Sequence, residues 1–270
     1  MLQENRIKQT LQRGDAVIGT MASEIRSPGF MWMLAHAGFD FVFIDMEHGT
    51  YDLPTVADLI KVARLAGIVP LVRVPDLAYH FAAQALDAGA MGLMLPRVET
   101  REQVEQFVSF MKYPPLGVRG MSAHRGHTNY EGATPRELAN HMNEHTLVVI
   151  QIERQHAVEH IGELLAVPGV DVALIGPLDL TVSLGEEDLN APAVTTAIQR
   201  VLEATQRHNV AMGMHSSTPS VVVEWQKRGA TMLTCGTDVG FFSTGAQQTV
   251  TALRAGTQSS QTQPDTTVDI

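Results

Sequence analysis

Four short strings in this sequence end apolar runs with side chains able to do chemistry. They are DMEHG with Asp45, Glu47 and His48; PLVRVP with Arg73; VVIQIE with Gln151 and Glu153; and GPLDL with Gly176, Pro177, Leu178 and Asp179. If Glu153 and Asp179 end adjacent strands, whose axes lie roughly 5 Å apart, both carboxylates reach one ion. Two carboxylates completed by water or substrate oxygens suit a hard cation such as Mg²⁺ or Mn²⁺. The plainer alternative makes Glu153 a salt-bridge partner of Arg154 or Arg73, and Asp179 the N-cap of a helix beginning LTVS. Arg73 is a charged residue inside an apolar strand, so its guanidinium needs an anion. That anion is either an enolate oxygen, stabilised by charge-assisted hydrogen bonds, or a structural partner, Asp45 or Glu47. His48 has the side chain best matched to proton transfer near neutral pH, and a nearby carboxylate would raise its basicity and orient its ring. The sequence holds eleven histidines. His124 and His127 in a long loop and His215 after the seventh apolar run are rivals, whereas His36, His80 and His208 read as helix-surface residues.

The elements that must position these groups alternate. Eight short β-branched runs, Ala16–Met21, Phe41–Asp45, Val69–Val74, Met91–Leu95, Leu147–Glu153, Asp171–Ile175, Val210–Met214 and Thr231–Cys235, are separated by segments of helical period. Those segments include Leu53–Ala66, Phe81–Ala88, Glu102–Met111 and Ala193–His208. The pattern predicts βαβ units and a parallel sheet, and eight strands predict a closed (β/α)8 TIM barrel. An open doubly wound sheet would show a glycine-rich phosphate turn after its first strand, and none follows Met21. Between Tyr113 and Asn143, prolines and glycines interrupt any period, which predicts a long functional loop whose 119–130 part returns over the barrel mouth or into a neighbouring subunit. Residues 1–255 are expected to form the single barrel domain and residues 256–270 a polar, disordered tail.

Composition narrows the class. The 270 residues, 44% hydrophobic and 18% charged, suit one large globular core. Nineteen basic against twenty-nine acidic side chains give a net charge of −10, which disfavours nucleic acid and anionic membrane as partners. The single cysteine, Cys235, excludes an intrachain disulfide and suits a reducing cytoplasm. No export signal and no membrane-spanning run is read. The motifs of serine-hydrolase elbows, phosphate-binding loops, zincins and zinc ribbons are missing. The four lysines, Lys8, Lys61, Lys112 and Lys227, fall in helical or terminal segments, so none is placed to form a Schiff base on a barrel strand.

Taken in order, FDFVFIDMEHG, PLVRVP, GAMGLMLPRVET, GVRG, VVIQIE and GPLDLTVSLG resemble the HpcH/HpaI aldolase family over roughly residues 10 to 255. The resemblance implies a barrel whose last helix is exchanged between subunits, in a homo-oligomer, commonly a hexamer built as a trimer of dimers. It implies that Glu153 and Asp179 hold a divalent metal (Mg²⁺, Mn²⁺ or Co²⁺), that His48 is the general base and that Arg73 stabilises the transition state. Gln151 falls on a substrate-binding amide, the backbone around Gly176, Pro177 and Leu178 on the site of the 2-oxo acid carboxylate, and Asp87 on the carboxylate that raises the basicity of the histidine. The helix predicted over Phe81–Ala88 puts Asp87 near the opposite barrel face, from which it reaches His48 only across a subunit boundary. Relatives carry a small residue where this chain has Leu178, and often alanine where it has Gly126. The implied reaction is reversible retro-aldol cleavage of a 4-hydroxy-2-oxo acid to pyruvate and an aldehyde, the work of a carbon–carbon lyase. Oxaloacetate decarboxylation on the same metal site, and a non-catalytic barrel that binds a metabolite, are the alternatives.

Overall fold

The computed structural model describes residues 2–259. Eight strands are observed: β1 (Val17–Ala22), β2 (Phe41–Asp45), β3 (Val69–Arg73), β4 (Gly92–Leu95), β5 (Leu147–Ile152), β6 (Val172–Ile175), β7 (Ala211–Ser216) and β8 (Met232–Thr237). Each pairs in parallel with the next, and β8 pairs with β1, closing the barrel. The helices are α1 (Arg6–Gln12), α2 (Phe30–Ala37), α3 (Leu53–Ala66), α4 (Tyr79–Ala88), α5 (Arg101–Met111), α6 (Pro135–His145), α7 (Gln155–Glu159), α8 (Ile161–Leu165), α9 (Pro177–Ser183), α10 (Pro192–His208), α11 (Pro219–Arg228) and α12 (Asp238–Ser259). The eight predicted strands are all present, with ends shifted by at most two residues.

Strand alternation divides the core in two. Val42, Ile44, Val72, Ile150 and Ile175 face outward and pack with Leu59, Phe107, Val194 and Trp225 of the helices. Phe41, Phe43, Val69, Leu71, Leu147, Val149, Val172 and Leu174 face inward and fill the barrel, which is a packed core and not a pore. Gly19 leaves room for the ring of Phe41, which a side chain there would strike. The short α1 closes the bottom, adding Ile7 and Leu11 to the interior cluster. At the top, the same alternation turns Asp45, Arg73, Gln151 and His215 toward the barrel axis, two residues beyond the apolar layers.

Three expectations are corrected. The irregular stretch after α5 is shorter than predicted, because Pro135 at the helix start and a Thr134/Glu137 capping box begin α6 inside it. Its 119–130 part lies at the bottom of its own barrel, not over the mouth. Arg119 Nη2 donates to Asp87 Oδ1 at 2.7 Å, His127 Nδ1 lies 3.3 Å from the Asp87 carbonyl, and Gly126 is pressed against the carbonyl of Ala88. Finally, α12 runs to Ser259, so the boundary expected at residue 255 falls inside a helix, and residues 260–270 of the expected tail lie outside the described residues.

Charges at the bottom end are spent on structure. Lys8 Nζ donates to Asp171 Oδ2 and to the Thr146 carbonyl, both at 3.0 Å, and Lys112 Nζ donates to the carbonyls of Asn143 at 2.7 Å and Thr146 at 3.0 Å. Burial, and then the neighbouring Lys8, pull the Lys112 ammonium down to about 7, with Asp171 opposing. In the unfolded chain it titrates at about 10.4, so between these values the unfolded state binds more protons and this group makes stability rise with pH. Below pH 7 it is charged in both states and contributes no slope. Lys112→Met is expected to remove up to about 1.4 kcal/mol per pH unit of that rise, read as the difference between variant and wild-type urea-unfolding free energies from pH 7.5 to 9.5. Parallel curves would show that Lys112 does not titrate there.

Candidate active site

The C-terminal ends of the strands surround a cavity of about 340 Å³ lined by Met21, Asp45, His48, Arg73, Gln151 and His215, and by the turn Gly176–Asp179 that starts α9. A cavity of about 360 Å³ opens at the bottom beside Lys8 and Asp171. Size does not separate the two. The bottom charges are paired with each other and with carbonyls, whereas the mouth collects uncompensated carboxylates, so chemistry is assigned to the mouth.

Register explains its central pair. Asp45 and Arg73 are direct partners across β2 and β3. Arg73 Nε donates to Asp45 Oδ1 at 2.7 Å and Nη2 to Oδ2 at 2.6 Å, a bidentate bond between side chains that are both buried. Arg73 Nη1 also lies 3.2 Å from Glu47 Oε2 and 3.5 Å from Gln151 Oε1. The structural ion pair weighed as an alternative for Arg73 is therefore present, with both expected partners, while the guanidinium still lines the cavity. Burial opposes its charge, but the hydrogen bonds and charge of Asp45, with Glu47 and Glu153 behind, outweigh it and raise its pKa.

From Arg73 the contacts run round a ring. Gln151 Nε2 donates to Glu153 Oε2, the Arg97 backbone N–H donates to Glu153 Oε1 at 2.6 Å, and Arg97 Nε lies 3.0 Å from Glu47 Oε1, which returns to Arg73. Arg97 holds a left-handed backbone, φ 54°, which aims its N–H at Glu153. Gly176 admits the carboxylate to this ring: a Cβ there would stand 2.5 Å from Glu153 Oε2 and 2.7 Å from Gln151 Nε2. Burial pushes the Glu153 carboxyl up to about 7; the Arg97 N–H opposes this, the negative charges of Asp179 and Glu47 add to it, and Arg73 relieves it.

The remaining expected residues divide. Asp179 sits in the first turn of α9, and Gly176, not Asp179, is the N-cap. Leu178 is exposed at the cavity rim. His48 is 68% exposed, its Nε2 lies 4.0 Å from Glu47 Oε2, and its backbone N–H donates to Asp45 Oδ1 at 3.4 Å. Asp87 does not join the others. It is in the last turn of α4, at the bottom face, where it pairs with Arg119. His127, one of the rivals to His48, is buried in that same bottom cluster, and His124 hydrogen-bonds within its own loop at 3.4 Å from the Tyr130 carbonyl.

Sequence reasoning missed two contributors, Arg97 and Asp238, and misplaced a third, His215. Arg97 follows strand four as a charged residue in an apolar string, the same signal that marked Arg73. Asp238, buried at the end of β8, accepts from the backbone N–H groups of Ser23, Glu24 and Ile25 at 2.8 to 3.1 Å, fixing the loop after β1 to the start of α12. Burial would raise its pKa, but these N–H groups and that of Val239 outweigh it and lower it. His215 lies within β7 and not after it, so the extra length of that strand places the ring in the cavity. Burial, and then the charge of Arg73, hold it down to about 4, with Asp45 opposing.

Known proteins resemble this chain over nearly its whole length. A 5-keto-4-deoxy-D-glucarate aldolase of Enterobacter sp. (strain 638) is 31% identical over 246 residues, covering 90% of this chain and 94% of that protein. The hydroxypyruvate/pyruvate aldolase of Roseovarius nubinhibens is 32% identical over 251 residues, covering 93% and 97%. The crystal structure of an HpcH/HpaI aldolase from Desulfitobacterium hafniense superposes with a TM-score of 0.85 at 33% identity, covering 97% of this chain and 99% of that one. Residues 23–244 match the family described as HpcH/HpaI aldolase/citrate lyase. The chain belongs to that family and is one of its aldolases, a carbon–carbon lyase.

Proposed function

We propose that the mouth of this barrel is a divalent-metal-dependent pyruvate aldolase site, cleaving a 4-hydroxy-2-oxo acid reversibly to pyruvate and an aldehyde. The observation that carries the proposal is a charge count. Two guanidiniums, Arg73 and Arg97, face four carboxylates, Asp45, Glu47, Glu153 and Asp179, leaving two negative charges unbalanced in a partly desolvated site. Burial first, and then the negative charges of Asp179 and Glu47, raise the pKa of Glu153, and a dication would offset both. Among the described residues no group of three or more His, Cys, Asp or Glu side chains could hold a metal by itself; Glu153 and Asp179 would hold it together with oxygens of substrate and water. Mg²⁺, Mn²⁺ and Co²⁺ fit this oxygen-rich donor set.

A cation held there supplies Lewis-acid polarisation of the keto group of a 2-oxo acid. The chain's own residues do the rest. The turn Gly176–Pro177–Leu178 receives the substrate carboxylate; Pro177 has no N–H, so the donors are those of Leu178 and Asp179, in the first turn of α9 where no intrahelical partner exists. Gln151 orients the keto oxygen. His48 accepts the proton of the 4-hydroxyl, the C3–C4 bond breaks, and its electron pair passes to C3 and the C2 oxygen, where Arg73 stabilises the enolate charge. Protonation at C3 then gives pyruvate. Asp45 keeps Arg73 oriented throughout, so little reorganisation is needed as charge develops. Asp87 has no access to His48 of its own chain; the role implied for it belongs to the His48 of a neighbouring copy.

Assembly is proposed from α12. Its exposed face carries Phe242, Val250 and Leu253, and within its own chain it touches chiefly β1 and β8. Apolar residues left in water along one helix suit exchange onto a second copy, in a homo-oligomer for which we propose a trimer of dimers. No described helix is long and apolar enough to cross a membrane.

The first test is pyruvate release from 4-hydroxy-2-oxo acids of several chain lengths, coupled to lactate dehydrogenase. EDTA is expected to abolish cleavage and Mg²⁺, Mn²⁺ or Co²⁺ to restore it; full activity after chelation would overturn the mechanism, and oxaloacetate as the one substrate releasing pyruvate would favour decarboxylation. Gly176→Ala is expected to lower kcat/KM by roughly 100-fold and to weaken metal binding in calorimetry, since the new Cβ displaces Glu153 and Gln151. Phe242→Asp with Leu253→Asp is expected to shift the mass measured by light scattering to a smaller species, and an unchanged mass would argue against helix exchange.

A further inference from the structure

His48, the base of the proposed reaction, has little around it to hold its ring. The side chain is 68% exposed and its Nε2 meets Glu47 Oε2 only at 4.0 Å, so the path of the backbone from Met46 to Tyr51 decides where the ring stands. That segment follows β2 and is anchored on two sides. On one side Asp45 Oδ1 accepts from the N–H groups of Glu47 at 3.0 Å and His48 at 3.4 Å. On the other side it lies against the turn after β1. The Thr50 N–H donates to the Ser23 carbonyl at 3.1 Å, and Arg26 Nη2 donates to the Thr50 carbonyl at 2.8 Å. Gly49 is pressed between the two anchors: a Cβ there would strike the Asp45 carbonyl oxygen and stand 3.1 Å from that of Ser23.

The turn after β1 hangs in its own right on one carboxylate. Residues 23–25 lie beyond Ala22, the last residue of β1 that pairs with β2, so the sheet does not hold them. Asp238, at the end of β8 and 1% exposed, does. Its Oδ1 accepts from the N–H and Oγ of Ser23, both at 3.1 Å, and from the Val239 N–H at 2.9 Å. Its Oδ2 accepts from the N–H groups of Glu24 at 2.9 Å and Ile25 at 2.8 Å. Tyr51 Oη shares its one proton between Oδ2, at 3.4 Å, and the Ile25 carbonyl, at 3.1 Å, which joins the far end of the His48 segment to the same carboxylate. Ser23 and Thr237, the neighbours of this clasp, line the mouth cavity together with His48. Both carboxylate oxygens are used as acceptors; an asparagine of the same shape would turn an NH2 group against N–H donors.

We propose that Asp238 is a positioning residue for the catalytic base: by tying the loops after β1 and β2 to the end of β8, it sets the place of His48 at the mouth. The inference rests on the aldolase reading above, which makes His48 the base, and deepens it by naming what holds that base. The groups that receive the 2-oxo acid, Gln151 and the Gly176–Leu178 turn, stand on β5 and after β6, across the barrel from the clasp. Loosening the clasp therefore acts on proton transfer and leaves 2-oxo acid binding in place.

The test compares wild type, Asp238→Asn, His48→Ala and the double variant as metal-loaded enzymes, in pyruvate release from the 4-hydroxy-2-oxo acids above and in backbone amide exchange read by mass spectrometry. Asp238→Asn is expected to lower kcat roughly 30-fold, the effect of a base displaced by a fraction of an ångström to an ångström. KM, and the inhibition constant of added pyruvate, are expected to stay within about threefold. Exchange over residues 46–51 is expected to quicken at least about tenfold while that over residues 176–183 is unchanged. The double variant is expected to be no slower than His48→Ala, since the two residues act as one unit. An unchanged kcat in Asp238→Asn, losses that multiply in the double variant, or faster exchange throughout the barrel overturns the inference. If Asp238→Asn does not fold, Tyr51→Phe carries the test, with a kcat loss of about fivefold, the same KM and faster exchange over residues 46–51 expected, and wild-type values overturning. A His48→Ala variant as active as wild type, or a wild type that cleaves nothing, is a failure of the aldolase reading; exchange then decides alone, with selective loss of protection over residues 46–51 upholding the role of Asp238 in placing that segment and wild-type protection overturning it.

Discussion

A guanidinium cannot be buried at the end of a parallel barrel without anions around it, and the need of Arg73 for partners organises the mouth of this one. Register places Asp45 opposite it across β2 and β3, and the bidentate bond that results fixes the plane of the guanidinium. Glu47, Arg97, Glu153 and Gln151 close a ring of contacts back to Arg73, so the ends of β2, β3, β4 and β5 are tied through side chains as well as through the sheet. The ring is over-supplied with negative charge. Carboxylates held this close together repel one another, and the divalent cation proposed above would offset that repulsion.

The two ends of the barrel use charge in opposite ways. At the bottom, Lys8 and Lys112 share the Thr146 carbonyl, Asp171 answers Lys8, and Arg119 answers Asp87 while its guanidinium stacks 4.7 Å from the ring centre of Tyr113. These contacts hold α1, α4, α5 and α6 against the strand starts. At the top, the polar side chains sit on strand ends and in the loops after them, and they point at a shared cavity. The division follows from chain direction: each strand delivers its last inward residue to the mouth, where loop variation does not disturb the barrel beneath. The interior layers of Phe41, Phe43, Leu71, Val149 and Leu174 keep water from entering below, so the charges at the mouth act in a medium of low polarity.

Much of this was legible in the sequence because it depends on period and position. Eight apolar runs spaced by helical segments specify eight strands whatever their contacts, and polar residues at the ends of such runs must lie at the mouth; Asp45, His48, Arg73, Gln151, Glu153 and Asp179 were found that way. The capping box at Thr134 was equally local, and the prolines and glycines around it masked it. The position of Asp87 was also local, since a helix after β3 has to run downward.

What the sequence by itself determined, then, is the barrel and the set of groups at its mouth, both consequences of short-range periodicity. The tertiary structure decided how those groups divide their charge. That Arg73 takes two carboxylates, that Arg97 turns left-handed to bind Glu153, that the 119–130 segment packs beneath the barrel and that His215 points inward from β7 all depend on register and packing between segments far apart in the chain. Electrostatic energy falls with distance and rises with burial, and neither quantity exists until the strands have closed.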